Sequence, residues 1–392
     1  MAKYKLEDIF DLQMGKTPSR NNSEYWNTCD NKWISIGDLT QAGKYITDTK
    51  EYLSDSAVEE SGIKIIPADT VVMSFKLSIG KTAITSEDMY SNEAIMAFRD
   101  KHVVDLMPEY IYYMFKYKNW DEGTNKAVMG KTLNKATLSK VEIEVCPIEK
   151  QREVVKLLDK ASAILEHRTE ELQKLDELIK ARFVELFGDP IHSDKYNTRK
   201  LSTCVKDKGD MVDGPFGSQV NTKVDYIENG EIPVIRTVNV KMMSFSPADL
   251  KYMTREKYET VIRSQVLPGD VILTKVGTIG NVCVFPDTFE EAVLSTTGSC
   301  RIRVDKDVMD TVFFVYNLMY LKDKLLEIAS AGVQPFLNMS HVKNIDILDV
   351  PLDKQMDFTG FVKQVDKSKV AVQKALDEAQ LLFDSLMQEC FG

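Results

Sequence analysis

No two cysteines of this 392-residue chain form a CxxC pair: Cys29, Cys146, Cys204, Cys283, Cys300 and Cys390 are scattered, and the four histidines, His102, His167, His192 and His341, lack metal-ligand spacing. Neither a disulfide framework nor a structural metal is expected. No run approaches the roughly 18 apolar residues of a membrane span. The opening Met1-Ala2-Lys3-Tyr4-Lys5-Leu6 meets Glu7-Asp8 at once, leaving no apolar core for a signal peptide, so the expected location is the cytoplasm. Catalytic signatures are missing too. Gly15-Lys16-Thr17, Gly80-Lys81-Thr82 and Gly130-Lys131-Thr132 imitate the end of a Walker A loop, but Phe10, Phe75 and Asn125 stand where its first glycine belongs. There is no Gly-rich cofactor loop, no Asn-Pro-Pro-Tyr methyltransferase motif and no convincing nuclease centre; Asp69 and Asp270 read as turn residues before strands. A basic excess is also lacking. The net charge of -10 counts against broad phosphate binding and leaves room only for a local positive field.

What the chain does have is an internal repeat. Leu133 to Gly188 aligns without a gap onto Leu337 to Gly392, so that Leu133-Asn134 meets Leu337-Asn338, Pro147 meets Pro351, Lys150-Gln151 meets Lys354-Gln355, and Phe187-Gly188 meets Phe391-Gly392. A weaker echo aligns Trp33-Ile34-Ser35-Ile36 with Pro233-Val234-Ile235-Arg236, and Ile66-Pro67-Ala68-Asp69 with Leu267-Pro268-Gly269-Asp270. The globular parts have diverged further than the helical ends, as expected if the ends do one job twice and the modules do two different jobs.

Within each module, Val71-Val72-Met73-Ser74-Phe75 and Val271-Ile272-Leu273-Thr274 are β-branched runs introduced by proline turns. Met107 to Lys118 and Asp310 to Ser330 carry helical spacing, and Gly80, Gly277 and Gly280 mark loops. After Pro147 and Pro351 the pattern becomes continuous helix. Leu158, Leu165, Leu172, Ile179 and Leu186 stand seven apart, with Ala161 and Leu175 on the adjoining seam. The twin places Val362, Leu376 and Phe383 in the same phase, beside Val365, Val372, Ala379 and Leu386. Each reads as a helix of about 36 residues, about 54 Å long, whose apolar seam needs a partner; the nearest is its own copy. The expected fold is α+β: two mixed α/β domains (1–148 and 189–351) separated by two long antiparallel helices (149–188 and 352–392) in a coiled coil, with a pseudo-twofold repeat. The plainer alternative is two separate core helices, each in its own domain.

Two sets of motifs carry a family resemblance. The first module has Gly15-Lys16-Thr17-Pro18-Ser19-Arg20, Glu24-Tyr25-Trp26 and Trp33-Ile34-Ser35-Ile36-Gly37-Asp38-Leu39. The second has Gly214-Pro215-Phe216-Gly217-Ser218, Ile232-Pro233-Val234-Ile235-Arg236 and Leu267-Pro268-Gly269-Asp270-Val271 leading to Gly277-Thr278-Ile279-Gly280. In this order, twice over, with a long helix after each, they resemble the target-recognition domains of specificity (S) subunits of type I restriction-modification systems, over essentially the whole chain. Lys150 and Lys354 depart from the acidic residue that often precedes the helix-opening glutamine.

The resemblance implies a non-catalytic DNA-specificity subunit that reads a bipartite double-stranded target, one half-site per domain, with the helices fixing the spacer. It also implies docking of two modification (methyltransferase) subunits, which carry S-adenosylmethionine, and through the complex the direction of restriction (endonuclease/translocase) subunits. No cofactor is expected in this chain. A helical scaffold whose modules bind protein rather than DNA is the alternative.

Candidate DNA contacts are the polar turn Lys16, Thr17, Ser19 and Arg20, then Lys76, Ser78 and Lys81 after the first strand, matched by Lys275 and Thr278 in the second module. Lys126, Lys131 and Lys135 precede the first long helix, as Gln334 precedes the second. Arg236 and Asn239 suit guanine and adenine edges, with a buried structural pair close behind as the second reading, and Phe216 and Ser218 lie in a glycine-flanked turn. Tyr25, Trp26 and Trp33 read as core or platform aromatics. On the outer helix faces, Leu157, Ile164 and Leu178 are left for helices of a modification subunit.

Overall fold

In the computed structural model, residues 2–76, 78–120, 125–127, 130–189, 191, 195–329 and 335–392 are described, with backbone alone for 125–127 and 130–132. One turn sets the pattern of each half. Asp69 and Gly269 hold left-handed backbone, at φ 56° and 87°, a conformation glycine adopts freely and aspartate tolerates. Each turn starts a central strand, Val71–Ser74 and Val271–Thr274.

In the first half Phe10–Met14, Ile95–Asp100, Val71–Ser74, Thr82–Thr85 and Tyr45–Ile46 form a sheet in that order. In the second, Met211–Asp213, Ser299–Ile302, Val271–Thr274 and Val282–Val284 follow the same order. A smaller sheet accompanies each: Glu51–Leu53, Asn31–Ile34, Tyr90–Ser91 in one, and Lys251–Met253, Ile232–Ile235, Ala292–Leu294, Gln265–Val266 in the other.

The central strands are buried on both faces, so strand alternation divides their side chains between two cores. Val71, Met73, Ile84, Met96 and Phe98 join the core of the helix Pro108–Tyr117, while Val72, Ala83, Ile95 and Ala97 join Ile34 and Leu39 on the other side. The second half repeats this. Val271, Leu273, Val282, Cys300 and Ile302 share a core with Phe313, Phe314 and Leu318 of the helix Thr311–Tyr320, whereas Ile272 and Cys283 pack with Ile235 and Leu294.

Sheet register corrects both weak sequence echoes by one residue. Ile34 pairs with Ser91 as Ile235 pairs with Leu294, so Trp33 corresponds to Val234 rather than Pro233. The left-handed turn position, in turn, matches Asp69 with Gly269 rather than Asp270. Hydrogen bonds agree, since Asp69 N–H donates to Thr85 and Gly269 N–H to Phe285, at 2.8 and 3.0 Å.

Each half is closed by its own ends. Ala2–Lys5 lies antiparallel to Glu142–Val145, and Thr198–Lys200 to Asp346–Leu348. Straight after the closing strands come the long helices Ile148–Phe187 and Leu352–Phe391, 40 residues each, hence about 60 Å at 1.5 Å per residue.

Gln151 and Gln355 lie in the first turn of these helices, and both are fully buried. Gln151 Nε2 donates to the carbonyls of Asp105 and Cys146, both at 2.9 Å, and Oε1 accepts from Met107 N–H at 2.9 Å. Gln355 Nε2 donates to Val350 and Val308 at 2.7 and 3.5 Å, and Oε1 accepts from Asp310 N–H at 2.8 Å. One amide thus ties the closing strand, the preceding loop and the helix together in each half.

Contacts divide the chain into two compact units, Met1–Glu170 with Gln373–Gly392, and Glu171–Val372. Each long helix is therefore divided between the units rather than standing apart as 149–188 or 352–392. In the first unit Val154, Val155, Leu158, Phe383, Leu386 and Met387 enter the same core as Tyr110 and Tyr113. In the second, Phe187 and Phe183 pack on Phe358 at 5.6 and 5.4 Å, and Asp176 pairs with Lys369 at 2.6 Å. One number falls as its partner rises, so the two helices run antiparallel. Of the seam residues, Leu158, Ile179, Val362, Val365 and Val372 are buried and Leu165, Leu172, Leu175, Leu186, Leu376 and Leu386 partly buried. Leu157, Ile164 and Leu178 are 45%, 47% and 47% exposed. No helix among the described residues is long and apolar enough to cross a membrane.

Candidate nucleic-acid interface

Sheet topology gathers separate loops at one end of each module. Strands Phe10–Met14 and Val71–Ser74 both run antiparallel to Ile95–Asp100, so the loops after Met14 and Ser74 meet the segment before Ile95. Gly15 N–H donates to Ile95 O (3.2 Å), Lys16 N–H to Ser91 O (2.8 Å), Asn92 N–H to Ile34 O (3.1 Å), Phe75 N–H to Ala94 O (3.0 Å) and Leu133 N–H to Phe75 O (3.1 Å). Five loops are laced together. Gly15 is required by the crossing, because a Cβ there would lie 2.2 Å from Asn92 O and 2.3 Å from Ser91 O.

This brings together Lys16, Thr17, Ser19, Arg20, Lys76, Ser78, Lys81 and Lys135. Lys16, Ser19, Arg20 and Lys135 are exposed, and Thr17, Lys76, Ser78 and Lys81 partly so. Several are held by neighbours. Lys16 donates to Ser61 O, Lys81 to the Thr40 hydroxyl and Thr17 to the Glu93 carboxylate. Arg20 lies 3.7 Å over the Trp26 ring and 4.9 Å over Trp33, with its guanidinium on the Glu51 carboxylate, which raises its pKa. A bidentate contact to guanine would require that pair to open. Trp33 is buried, and its indole donates to Lys16 O at 3.0 Å, so it acts as a platform. Lys126 and Lys131 face one another across a two-stranded ladder, but their side chains lie outside the described residues.

Sequence reasoning overlooked Glu93. The Thr17 hydroxyl bond, then the nearby Lys76 and Arg20 charges, hold its carboxyl below the usual range. It lies in the Asn92-Glu93-Ala94 turn, whose single charge forms no pattern in the sequence, and only strand pairing places it among the lysines.

The second module repeats the lacing with other side chains. Gly214 N–H donates to Ser299 O (3.3 Å), Lys275 and Val276 N–H to Gly298 O (2.7 and 3.2 Å), Ser295 N–H to Ile235 O (2.9 Å) and Leu337 N–H to Lys275 O (2.9 Å). A Cβ on Gly214 would sit 2.0 Å from Thr296 O. Ser218 and Thr278 are exposed and Phe216 is 56% exposed. Gln334 lies outside the described residues.

Two expected contacts are corrected. Lys275 is 3% exposed, with its ammonium 3.5 Å from Asp213, whose carboxylate also lies 3.8 Å from Arg263. It is a buried ion-pair partner, not a surface cation. Asn239 is fully buried: Oδ1 accepts from Arg236 N–H at 3.0 Å, and Nδ2 donates to Ser246 O and Ala248 O at 3.0 and 2.9 Å. Its counterpart Asp38 accepts from Ser35 N–H at 2.8 Å, so both are helix-cap residues. Arg236 is partly buried, with its guanidinium on Asp249 O.

The nearer relatives agree with this architecture. A model of the type I restriction modification DNA specificity domain matches residues 1–177 and 208–379. The chain is 24% identical to the MjaIX type I restriction enzyme specificity subunit of Methanocaldococcus jannaschii, over 98% of this chain and 90% of that one. In fold it is similar to a chain of a type I restriction-modification complex solved for its assembly and conformational transition (TM-score 0.63, 15% identity, 100% and 97% covered). It is likewise similar to the S subunit of M. genitalium (TM-score 0.55, 14% identity, 100% and 96% covered). Two matched specificity domains, each bearing one laced loop cluster and running into one long helix, make this chain a member of the type I restriction-modification DNA specificity subunit family.

Proposed function

We propose that each module, or head, reads one half of a bipartite double-stranded DNA target, and that the antiparallel helices fix the spacing between the half-sites. The observation that carries this reading is the loop cluster itself. The same crossing glycines and backbone bonds occur twice, while the exposed side chains on them differ. A repeated frame with divergent contacts suits two readers of unlike sequence.

On this reading the chain performs no chemistry. Two modification subunits, carrying S-adenosylmethionine, dock on the helices, where the exposed Leu157, Ile164 and Leu178 offer an apolar face, and restriction subunits join through the complex. The test is a map of methylated sites in cells carrying this chain with its modification partner. A split, asymmetric motif is expected; a continuous motif would overturn the two-reader assignment. Retained assembly with no sequence-selective DNA binding would favour the scaffold alternative.

A further inference from the structure

At the crossing tips of the second head's loops the cations are drawn into internal bonds, and the exposed Lys223 lies farther along the Phe216 loop. Among the described residues 214–219, 236–239, 275–281, 295–298 and 335–338, the cations are Arg236 and Lys275, one partly buried on Asp249 O and the other in the Asp213 pair. Beside the exposed polar Ser218, Gln219 and Thr278, what these loops expose is apolar and uncharged. Phe216 is 56% exposed, Val238 52%, Phe336 49% and Val276 44%.

These residues come from four separate loops that meet around Thr296 and Gly298. Val276 N–H bonds Gly298 O, and Leu337, next to Phe336, bonds Lys275 O. The Thr237 methyl would lie 3.2 Å from a Cβ on Gly298, and the Phe216 loop starts at Gly214, which lies against Thr296. The Phe216 turn is fixed at both ends, since Phe216 N–H donates to Gln219 Oε1 at 3.1 Å and Gln219 N–H to Phe216 O at 2.8 Å. Four convergent exposed hydrophobics are unlike the singly scattered ones of an ordinary surface. In the first head the matching loops carry Lys16, Arg20, Lys76 and Lys81, with Lys76 at the position of Val276.

We propose that the second head recognises its half-site by apolar contact of Phe216, Val238, Val276 and Phe336 with the bases, whereas the first head relies on charge. This rests on the DNA-reading function above, and the occupant follows from continuity: the patch fills the place that the basic loops fill in the other head. Thymine methyl groups and the faces of partly unstacked bases are the two apolar surfaces a duplex presents.

The experiment uses the full complex with its modification subunits and a duplex whose split target has been mapped. Phe216→Ser and Phe336→Ser should each lower affinity about tenfold, with the loss confined to duplexes carrying an intact second half-site and no change in salt dependence. Lys76→Ala should instead flatten the slope of log affinity against log salt by about one. Deoxyuridine in place of thymine reproduces the serine loss if methyls are touched, and brightening of 2-aminopurine at one step marks insertion between bases; either supports the proposal. Wild-type affinity and discrimination in both serine variants would overturn it. So would loss of subunit assembly with discrimination intact, which would assign the patch to a protein partner. If no split target can be mapped, the DNA-reading function itself fails, which is a separate result.

Discussion

The two heads share a frame and differ in what stands on it. Both cross a glycine over the segment before the inner strand, both cap the following turn with a buried Asp38 or Asn239, and both anchor a long helix with a buried glutamine. At the tip of the central strand, however, Phe75 of the first head is replaced by Lys275 of the second, and exposed Met14 by Asp213. A buried ion pair thus stands where the first head has an aromatic ring. The lesson is that backbone lacing is the constant part, and that charge can move between surface and interior without disturbing it.

Breaking the difference should give the largest effect. Lys275→Met strands the Asp213 carboxylate with only Arg263 nearby and should cost about 4 kcal/mol, read as a lower denaturant midpoint. The double variant Lys275→Phe with Asp213→Met, which copies the first head, should recover most of that loss. Failure to recover would show that the pair does more than fill space.

A smaller effect tests the shared part. Gln151→Leu and Gln355→Leu each leave buried backbone groups unpaired and should cost about 2–3 kcal/mol, equally in the two heads. Unequal losses would mean that the anchors are not equivalent.

The smallest effect is acid sensitivity. Glu291, held by Tyr258, Arg255 and Gln265, has its pKa lowered from 4.5 to about 2. Its folded form is therefore the stronger acid. The stability it gives is complete above about 4.5 and disappears as pH falls towards 2, so Glu291→Gln should flatten acid unfolding over that window. In the first head one lowered carboxyl, Glu93, belongs to the loop cluster itself, and acid there should loosen Thr17 rather than the frame.

The helices were legible because their repeat is gapless and their period survives forty residues, and their starts after Pro147 and Pro351 fall within one residue of the expected bounds. Strands and turns were legible in kind but slipped in register, because β-rich stretches align equally well one residue apart. Only the left-handed turn and the ladder pairing decide. Lys275 looked like a loop cation because its partner Asp213 lies 62 residues away and is brought near by a third strand. Asn239 looked like a base reader because an amide that caps a turn and one that meets adenine have the same donors and acceptors. The apolar loops of the second head escaped notice because Val276, Val238 and Phe336 are ordinary core residues until the fold shows them exposed.

Pairing Ala2–Lys5 with Glu142–Val145, and Thr198–Lys200 with Asp346–Leu348, has a modular consequence. Each head leaves the chain where it began, so its two junctions are neighbours in space. A different head joined at those two strands would inherit the same stub and the same glutamine socket, which makes the head an exchangeable cartridge.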